Sequence, residues 1–303
     1  MSNTQVILHH YPQSPVAEKV RMTLGLKGLD WHSVIIPRLP PKPNLMPLTG
    51  GYRLTPVMQI GADVYCDSAC ILDELEQRFP KPKLCADTGE GLENWTEGEL
   101  FLDVVTVALV EMSATIPAEF MADRGPLYFG PDFSLSTLKS NYDGCLEKVR
   151  GQLSHLNDGL AAQAYLFGTT PGLADARAYY LVWFLRDRMA EAEAFFHQFE
   201  NLERWESNLK KIGHGNPQEL SDLEALDIAK NAKHETPENI SADDCEGLKV
   251  GDKITIAPAN GGPKVAGTLH NLSPNRIALL RQDERVGQVC VHFPRAGYVI
   301  NTL

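Results

Sequence analysis

Two short sites about ten residues apart constrain this chain more than anything else in it: Leu54-Thr55-Pro56-Val57-Met58, and then Cys66-Asp67-Ser68. Pro56 stands at the start of an apolar run, 57–60, that reads as a strand. Proline lacks a backbone donor and is confined to strand starts, edges and bulges. A proline placed there points to a specialised peptide bond, for which cis is the candidate. Asp67-Ser68 then opens an amphipathic helix over 69–79. The N–H groups at a helix start have no partner within the helix and suit a carboxylate. The two sites together make a clamp able to hold a small peptide at both ends.

The surrounding pattern predicts a compact α/β domain. Residues 5–10 read as a strand, 16–26 as a helix opened by Ser14-Pro15, and 31–36 as a second strand, giving a β-helix-β order with a parallel pair. A stretch with five prolines follows over 37–47. Gly61-Ala62-Asp63 reads as a tight hairpin turn between strands at 57–60 and 64–66. Residues 1–82 are therefore expected to form one domain with a four-stranded mixed sheet. From 91 to 232 the periodicity is helical, with helices at 93–116, 135–162, 173–193, 202–212 and 217–231. The pattern changes again at 240–303, where 253–257, 264–271, 276–281, 287–293 and 298–301 read as short strands separated by turns. These predict a small closed barrel.

Composition removes several classes of function. The chain has 303 residues and a formal net charge of −11. Such acidity disfavours nucleic acid and anionic membrane surfaces as partners, since phosphate binding draws on basic patches. No apolar run reaches eighteen residues, and Met1-Ser2-Asn3-Thr4 carries no basic segment, so neither a membrane span nor a signal peptide is expected. Six cysteines scattered over this length fit reduced thiols in a cytoplasm.

Four motifs in order resemble the glutathione S-transferases over roughly residues 5–215. Tyr11-Pro12-Gln13-Ser14-Pro15 with Lys19-Val20-Arg21 resembles the loop and first helix of the serine-type classes, such as tau, phi and theta. Thr55-Pro56-Val57 resembles the cis-proline segment of thioredoxin-like folds. Asp67-Ser68 resembles the acidic-serine pair that holds the γ-glutamyl end of glutathione, and Gly172-Leu173-Ala174-Asp175 a capping box of the helical domain. The resemblance implies a thioredoxin-like α/β first domain and an all-α second domain. The 240–303 region lies outside that fold and is similar to a C-terminal extension found in a bacterial and fungal subgroup.

The resemblance also implies an activity and a set of roles. Glutathione would be the co-substrate, with no metal, and a small hydrophobic electrophile the second substrate. Conjugation needs the thiolate, and a thiol with pKa near about 8.5 is a few per cent ionised at neutral pH. Lowering that pKa by about two units takes about 2.7 kcal/mol, within reach of one charge-assisted hydrogen bond plus a helix dipole. Ser14 is the candidate donor and Tyr11 its rival. Val57 would pair its backbone with the cysteinyl part, Asp67 would hold the γ-glutamyl amine and Ser68 its carboxylate. Arg53 would meet the glycine carboxylate, with Arg38 and Lys42 as alternatives. Pro56 and Asp175 would be structural. Phe101, Val105, Leu109 and Met112 are the candidates for lining the electrophile site, expected between the domains. A homodimer is expected by the same resemblance.

Each residue also has a plainer reading. Ser14 and Asp67 are good helix caps, Val57 suits a strand core, and the four apolar residues suit a helix core. Cys66 and Cys70 read as small buried side chains, because no second pair stands at metal-ligand spacing. No cysteine lies between Tyr11 and Pro15, which disfavours thiol–disulfide exchange. His9 and His10 read as strand residues, and His292-Phe293-Pro294-Arg295 as a strand running into a turn. An isomerase or reductive dehalogenase would share the same glutathione site. A non-catalytic glutathione-binding or protein-interaction module on the transferase fold is the alternative from another class.

Overall fold

The computed structural model describes residues 5–84, 90–240 and 247–303. In chain order the elements are β1 (Val6–His10), α1 (Pro15–Leu26), β2 (Asp30–Ile35), α2 (Met46–Thr49), β3 (Val57–Ile60), β4 (Asp63–Cys66) and α3 (Ser68–Arg78). Then come α4 (Glu90–Glu97), α5 (Glu99–Glu111), a 3₁₀ turn at Met112–Ala114, α6 (Ala118–Phe129), α7 (Leu135–Gly159), α8 (Leu173–Arg188), α9 (Ala192–Phe196) and α10 (Glu200–Ile212). The chain closes with β5 (Asn216–Glu219), α11 (Asp222–Asn231), β6 (Asn239–Ile240), β7 (Lys253–Pro258), β8 (Val265–Leu272), β9 (Arg276–Asp283), β10 (Gly287–Pro294) and β11 (Tyr298–Thr302). Contacts divide it into two compact units: 1–20 with 28–79 and 215–303, and 21–27 with 80–214.

The first unit is built on a thioredoxin-like sheet. β1 pairs in parallel with β2 and antiparallel with β3, which pairs antiparallel with β4. All five residues of β1 are buried, as expected of a central strand covered on both faces. Ser14 caps α1 by accepting from Ala17 N at 3.2 Å, and Pro15 takes the first helical position, where its missing donor costs nothing. The Thr55–Pro56 peptide bond is cis.

The C-terminal strands continue this sheet. β10 runs parallel to β4, with Cys290, Val291 and His292 opposite Asp63, Val64 and Tyr65. From β10 the order runs through β9, β8 and β7 to β11, each pair antiparallel, while β6 pairs with β8. Drawn from the sequence as its own domain, the 240–303 region thus shares both a sheet and a core with the first. Ile7, Val34 and Val64 pack in one cluster with Ile277, Val291 and Phe293. The physical reason is an edge: β4 would otherwise present a row of unpaired backbone groups, and β10 satisfies it.

Charged groups fasten this seam. Buried Asp63 accepts from His292 Nε2 at 2.9 Å, from the Thr236 hydroxyl at 2.8 Å and from Glu235 N at 2.7 Å. Burial alone would raise its pKa, but these donors hold it below the usual carboxylate value. Arg276 of β9 meets Glu74 of α3 at 2.6 Å. Arg285 donates to Pro43 O and to Asn44 Oδ1. Gly50, left-handed at φ 73°, ends α2, and a Cβ there would stand 2.2 Å from Arg281 Nε. A side chain at this position would strain the turn and push out the Arg281 guanidinium together.

The other differences from the sequence reading are local. The helix read at 93–116 is divided at Gly98, and the one at 173–193 stops at Arg188. α6 was not foreseen. Residues 215–232, read as the end of the helical domain, lie in the first unit: β5 pairs in parallel with β2, and α11 buries Ala225, Leu226 and Ala229 in that unit's core. Its short polar strand, Asn-Pro-Gln-Glu, is fully exposed and carries no apolar alternation to read.

In the second unit Asp175, 1% exposed, gathers three donors: Gly172 N at 2.8 Å, Leu166 N at 2.9 Å and Trp205 Nε1 at 2.6 Å. It therefore fixes the start of α8, the preceding turn and α10 at once. Asp175→Ala strands all three donors and is expected to cost about 3 kcal/mol or more, beyond the ~1–2 kcal/mol of a simple cap; denaturant melts measure it.

His9 gives a second expectation. Burial pushes its imidazole down to about 4, against the opposing bond to Gln59 Oε1 at 2.9 Å and the charge of Asp222. The unfolded ring protonates near 6.5 while the folded ring resists, so stability is full above that value and falls as pH drops towards 4. The loss attributable to His9 is about 3 kcal/mol. Denaturant melts across this window should show a shallower decline in His9→Gln than in the parent.

Candidate functional site

Strand register brings the two halves of the clamp together. Val57 lies opposite His9 of β1 on one side and Cys66 of β4 on the other. The loop leaving β1, the cis Thr55–Pro56 bond entering β3 and the turn leaving β4 are consequently at one end of the sheet. Both α1 and α3 begin there, so two helix N-termini share that end. Ser14, Val57 and Ser68 are all buried, at 2%, 0% and 5% exposure. Ser14 uses an oxygen lone pair for its cap bond, and a hydroxyl keeps its proton to donate. Capping and thiol stabilisation are thus compatible on one side chain.

Asp67 is the most specialised residue of the set. It is the sole non-glycine residue with positive φ, 76°, among the described residues. Its side chain accepts from Ala69 N at 3.0 Å, capping α3. Aspartate tolerates such backbone better than most residues because its short side chain bonds locally. Its second oxygen, Oδ2, accepts from the Tyr298 hydroxyl at 3.0 Å. Burial first, and then the Asp67 charge, push the Tyr298 phenol far above its ordinary value, so it stays a donor. Tyr298 packs against Phe293, which in turn meets Tyr52 edge-on at 5.7 Å.

The three candidate cations differ in burial and partners. Lys42, only 2% exposed, donates to Thr55 Oγ1 at 2.9 Å, next to the cis bond. Its Nζ also lies 5.8 Å from the Tyr11 ring, and Arg38 lies 5.9 Å from the same ring. Arg53 is half-buried two residues before Thr55. The proline-rich segment therefore delivers a buried lysine to the clamp. Tyr11 itself is buried at 7% exposure, and its carbonyl accepts from Ser14 N at 3.1 Å.

Other candidates fall elsewhere. On α5, Val105 and Leu109 are buried core residues and Phe101 is half-buried, as is Met112 in the 3₁₀ turn that follows; Phe101 meets Tyr128 edge-on at 5.5 Å. Cys66 and Cys70 are free and buried, and burial pushes both thiols up. His10 bonds Ser33 Oγ through Nε2 at 2.9 Å. Within His292-Phe293-Pro294-Arg295, His292 belongs to the Asp63 seam and Phe293 to the core. Tyr298 was missed altogether. Only the parallel pairing of β10 with β4 places the β10–β11 turn beside Asp67, and no sequence pattern reports which strands pair across more than 200 residues. No helix among the described residues is long and apolar enough to cross a membrane.

Comparison with known proteins agrees with this architecture. Residues 8–83 match the family profile of the glutathione S-transferase N-terminal domain, and residues 139–206 that of the C-terminal domain. No curated protein matches the chain. Among solved structures, a GST-like protein from Pseudomonas syringae is 34% identical over the whole of both chains, with a TM-score of 0.73. A glutathione S-transferase from Rhodospirillum rubrum is 18% identical over 68% of this chain and 88% of its own, with a TM-score of 0.52. FzlA from C. crescentus is 22% identical over 68% and 88%, with a TM-score of 0.50. The last two share the fold alone. The Pseudomonas protein spans the C-terminal strands as well, and with it this chain belongs to the glutathione S-transferase superfamily.

Proposed function

We propose that the chain is a glutathione-dependent transferase in which Ser14 donates a hydrogen bond to the glutathione sulfur and favours its thiolate. The observation that carries this reading is the row His9–Val57–Cys66, which gathers Ser14, Val57 and Asp67-Ser68 at one sheet end with two helix N-termini. Val57 would align the cysteinyl backbone as an added strand does. Asp67 would take the γ-glutamyl amine and Ser68 its carboxylate. Arg53, or Lys42 whose ammonium is held at Thr55, would meet the glycine carboxylate. The second substrate would be a small hydrophobic electrophile attacked by the thiolate. A cytoplasmic homodimer with a detoxifying role is the setting this chemistry suits.

One observation favours the alternative, a glutathione-binding or interaction module without turnover. Tyr298 already donates to Asp67 Oδ2, and Ser14 is covered. A ligand amine would compete with the Tyr298 hydroxyl for Asp67 Oδ2, so the protein holds its own stand-in for part of the peptide.

Two measurements test the reading. Glutathione should raise the thermal midpoint, and the complex should show thiolate absorbance that Ser14→Ala lowers by about 10- to 100-fold in thiolate fraction at nearly unchanged affinity. Absence of any glutathione-dependent midpoint shift sinks the transferase, and a shift without thiolate, unchanged in Ser14→Ala, assigns the binding module. Tyr298→Phe removes the competing donor and is expected to tighten glutathione about fivefold by calorimetry.

A further inference from the structure

A second cluster of polar side chains lies under the strap 233–238, which links α11 to β6. Asp63 of β4, His270 of β8, and Cys290 and His292 of β10 are all buried at 4% exposure or less. Cys290 and His292 are two apart on one strand and so share a face. Ala278 of β9 stands opposite His292 in the ladder. The strap covers this face. Thr236 donates to Asp63, Glu235 N donates to the same carboxylate, and Asn271 Nδ2 donates to Pro237 O at 3.1 Å.

These bonds account for the strap but leave part of the chemistry beneath it unexplained. His270 Nε2 lies 2.8 Å from the Thr236 carbonyl, which can only accept, so Nε2 carries the proton. In that tautomer a lone pair is left on Nδ1, which is buried and has no hydrogen-bond partner among the described residues. His234 stacks edge-on to His270, ring centroids 4.9 Å apart. One ligand atom each of His234, His270 and Cys290 lies within 4.8 Å of the other two. Cys290 is a free thiol, 0% exposed. Glu238 Oε1 stands 3.9 Å from His270 Nδ1 on the exposed side.

We propose that His234, His270 and Cys290 bind a zinc-class divalent cation beneath the strap, with Glu238 or water completing a tetrahedron. Two imidazoles and a thiolate form a donor set typical of zinc. Ligand atoms around a tetrahedral zinc stand about 3.4 Å apart, so closing the set asks for at most about 1.4 Å between any pair. Half-buried His234 on a segment without regular structure can supply that movement. A bound histidine is ordinarily oriented by a carbonyl or carboxylate on its other nitrogen, and Thr236 O does this for His270. Asp63 and His292, in turn, anchor Thr236. On binding, the Cys290 proton is released to solvent and its sulfur becomes the thiolate ligand. The site is separate from the glutathione clamp and stands or falls independently of it. It would lock the strap, and with it α11, to the seam between β4 and β10.

Cobalt(II) titration of the full chain, after chelator treatment and in a thiol-free reductant, tests the proposal. A single ion per chain should produce a near-ultraviolet thiolate-to-cobalt charge-transfer band and tetrahedral visible bands, both abolished by added zinc. Cys290→Ser should remove the charge-transfer band. His234→Ala, which disturbs no buried core, should weaken affinity at least about tenfold while the unliganded protein melts as the parent does. No charge-transfer band, a band that persists in Cys290→Ser, or parental affinity in His234→Ala would each overturn the assignment.

Discussion

A single buried carboxylate holds the first unit together. Asp63 opens β4 at 1% exposure, where an unpaired charge would cost several kcal/mol. It is tolerated because donors reach it from three separate places: His292 on β10, the Thr236 hydroxyl, and the Glu235 backbone. Removing any one leaves a charge without enough partners. The pairing of β4 with β10 and the lie of the strap over the sheet are therefore set by the same group. Burial also keeps the His292 ring neutral, below its ordinary value, so it donates from one defined nitrogen.

From that joint the geometry of the clamp follows. Because β10 runs parallel to β4, the ends of both strands point the same way, and the turn after β10 arrives where α3 begins. Tyr298 then reaches Asp67, and Arg281 and Arg285 reach α2 and the proline-rich segment before it. The C-terminal strands are thus part of the wall around the clamp. A transferase fold without them would leave Asp67 Oδ2 and the β4 edge to solvent or to a ligand. With them, access to Asp67 is coupled to the packing of Tyr298, Phe293 and Tyr52.

Much of this was legible in the sequence, for identifiable reasons. The strand over Val57–Ile60, the helix from Ser68 and the cis bond at Pro56 are local events, written by a proline, an aspartate and an apolar period. The five C-terminal strands were legible too, since alternation and turn residues mark them. What could not be read was long-range pairing. Asp63 looked like the last residue of a hairpin turn, because turns and buried seams both use aspartate. Tyr298 looked like an ordinary strand residue. Lys42 was one cation among three until the fold placed its ammonium on Thr55. Exposed β5 lacks any apolar signal, so its addition beside β2 depended wholly on backbone pairing.

The C-terminal strands and the thioredoxin-like sheet form one cooperative structure joined at Asp63. Native-state hydrogen exchange tests it most directly, read at the amides of β3, β4, β9 and β10, including the Cys290 N–H that donates to Ala62 O at 2.9 Å. These amides are expected to open together, with the same free energy and the same denaturant dependence. A separate, lower-energy opening of β7–β11 that leaves β1–β4 protected would contradict it.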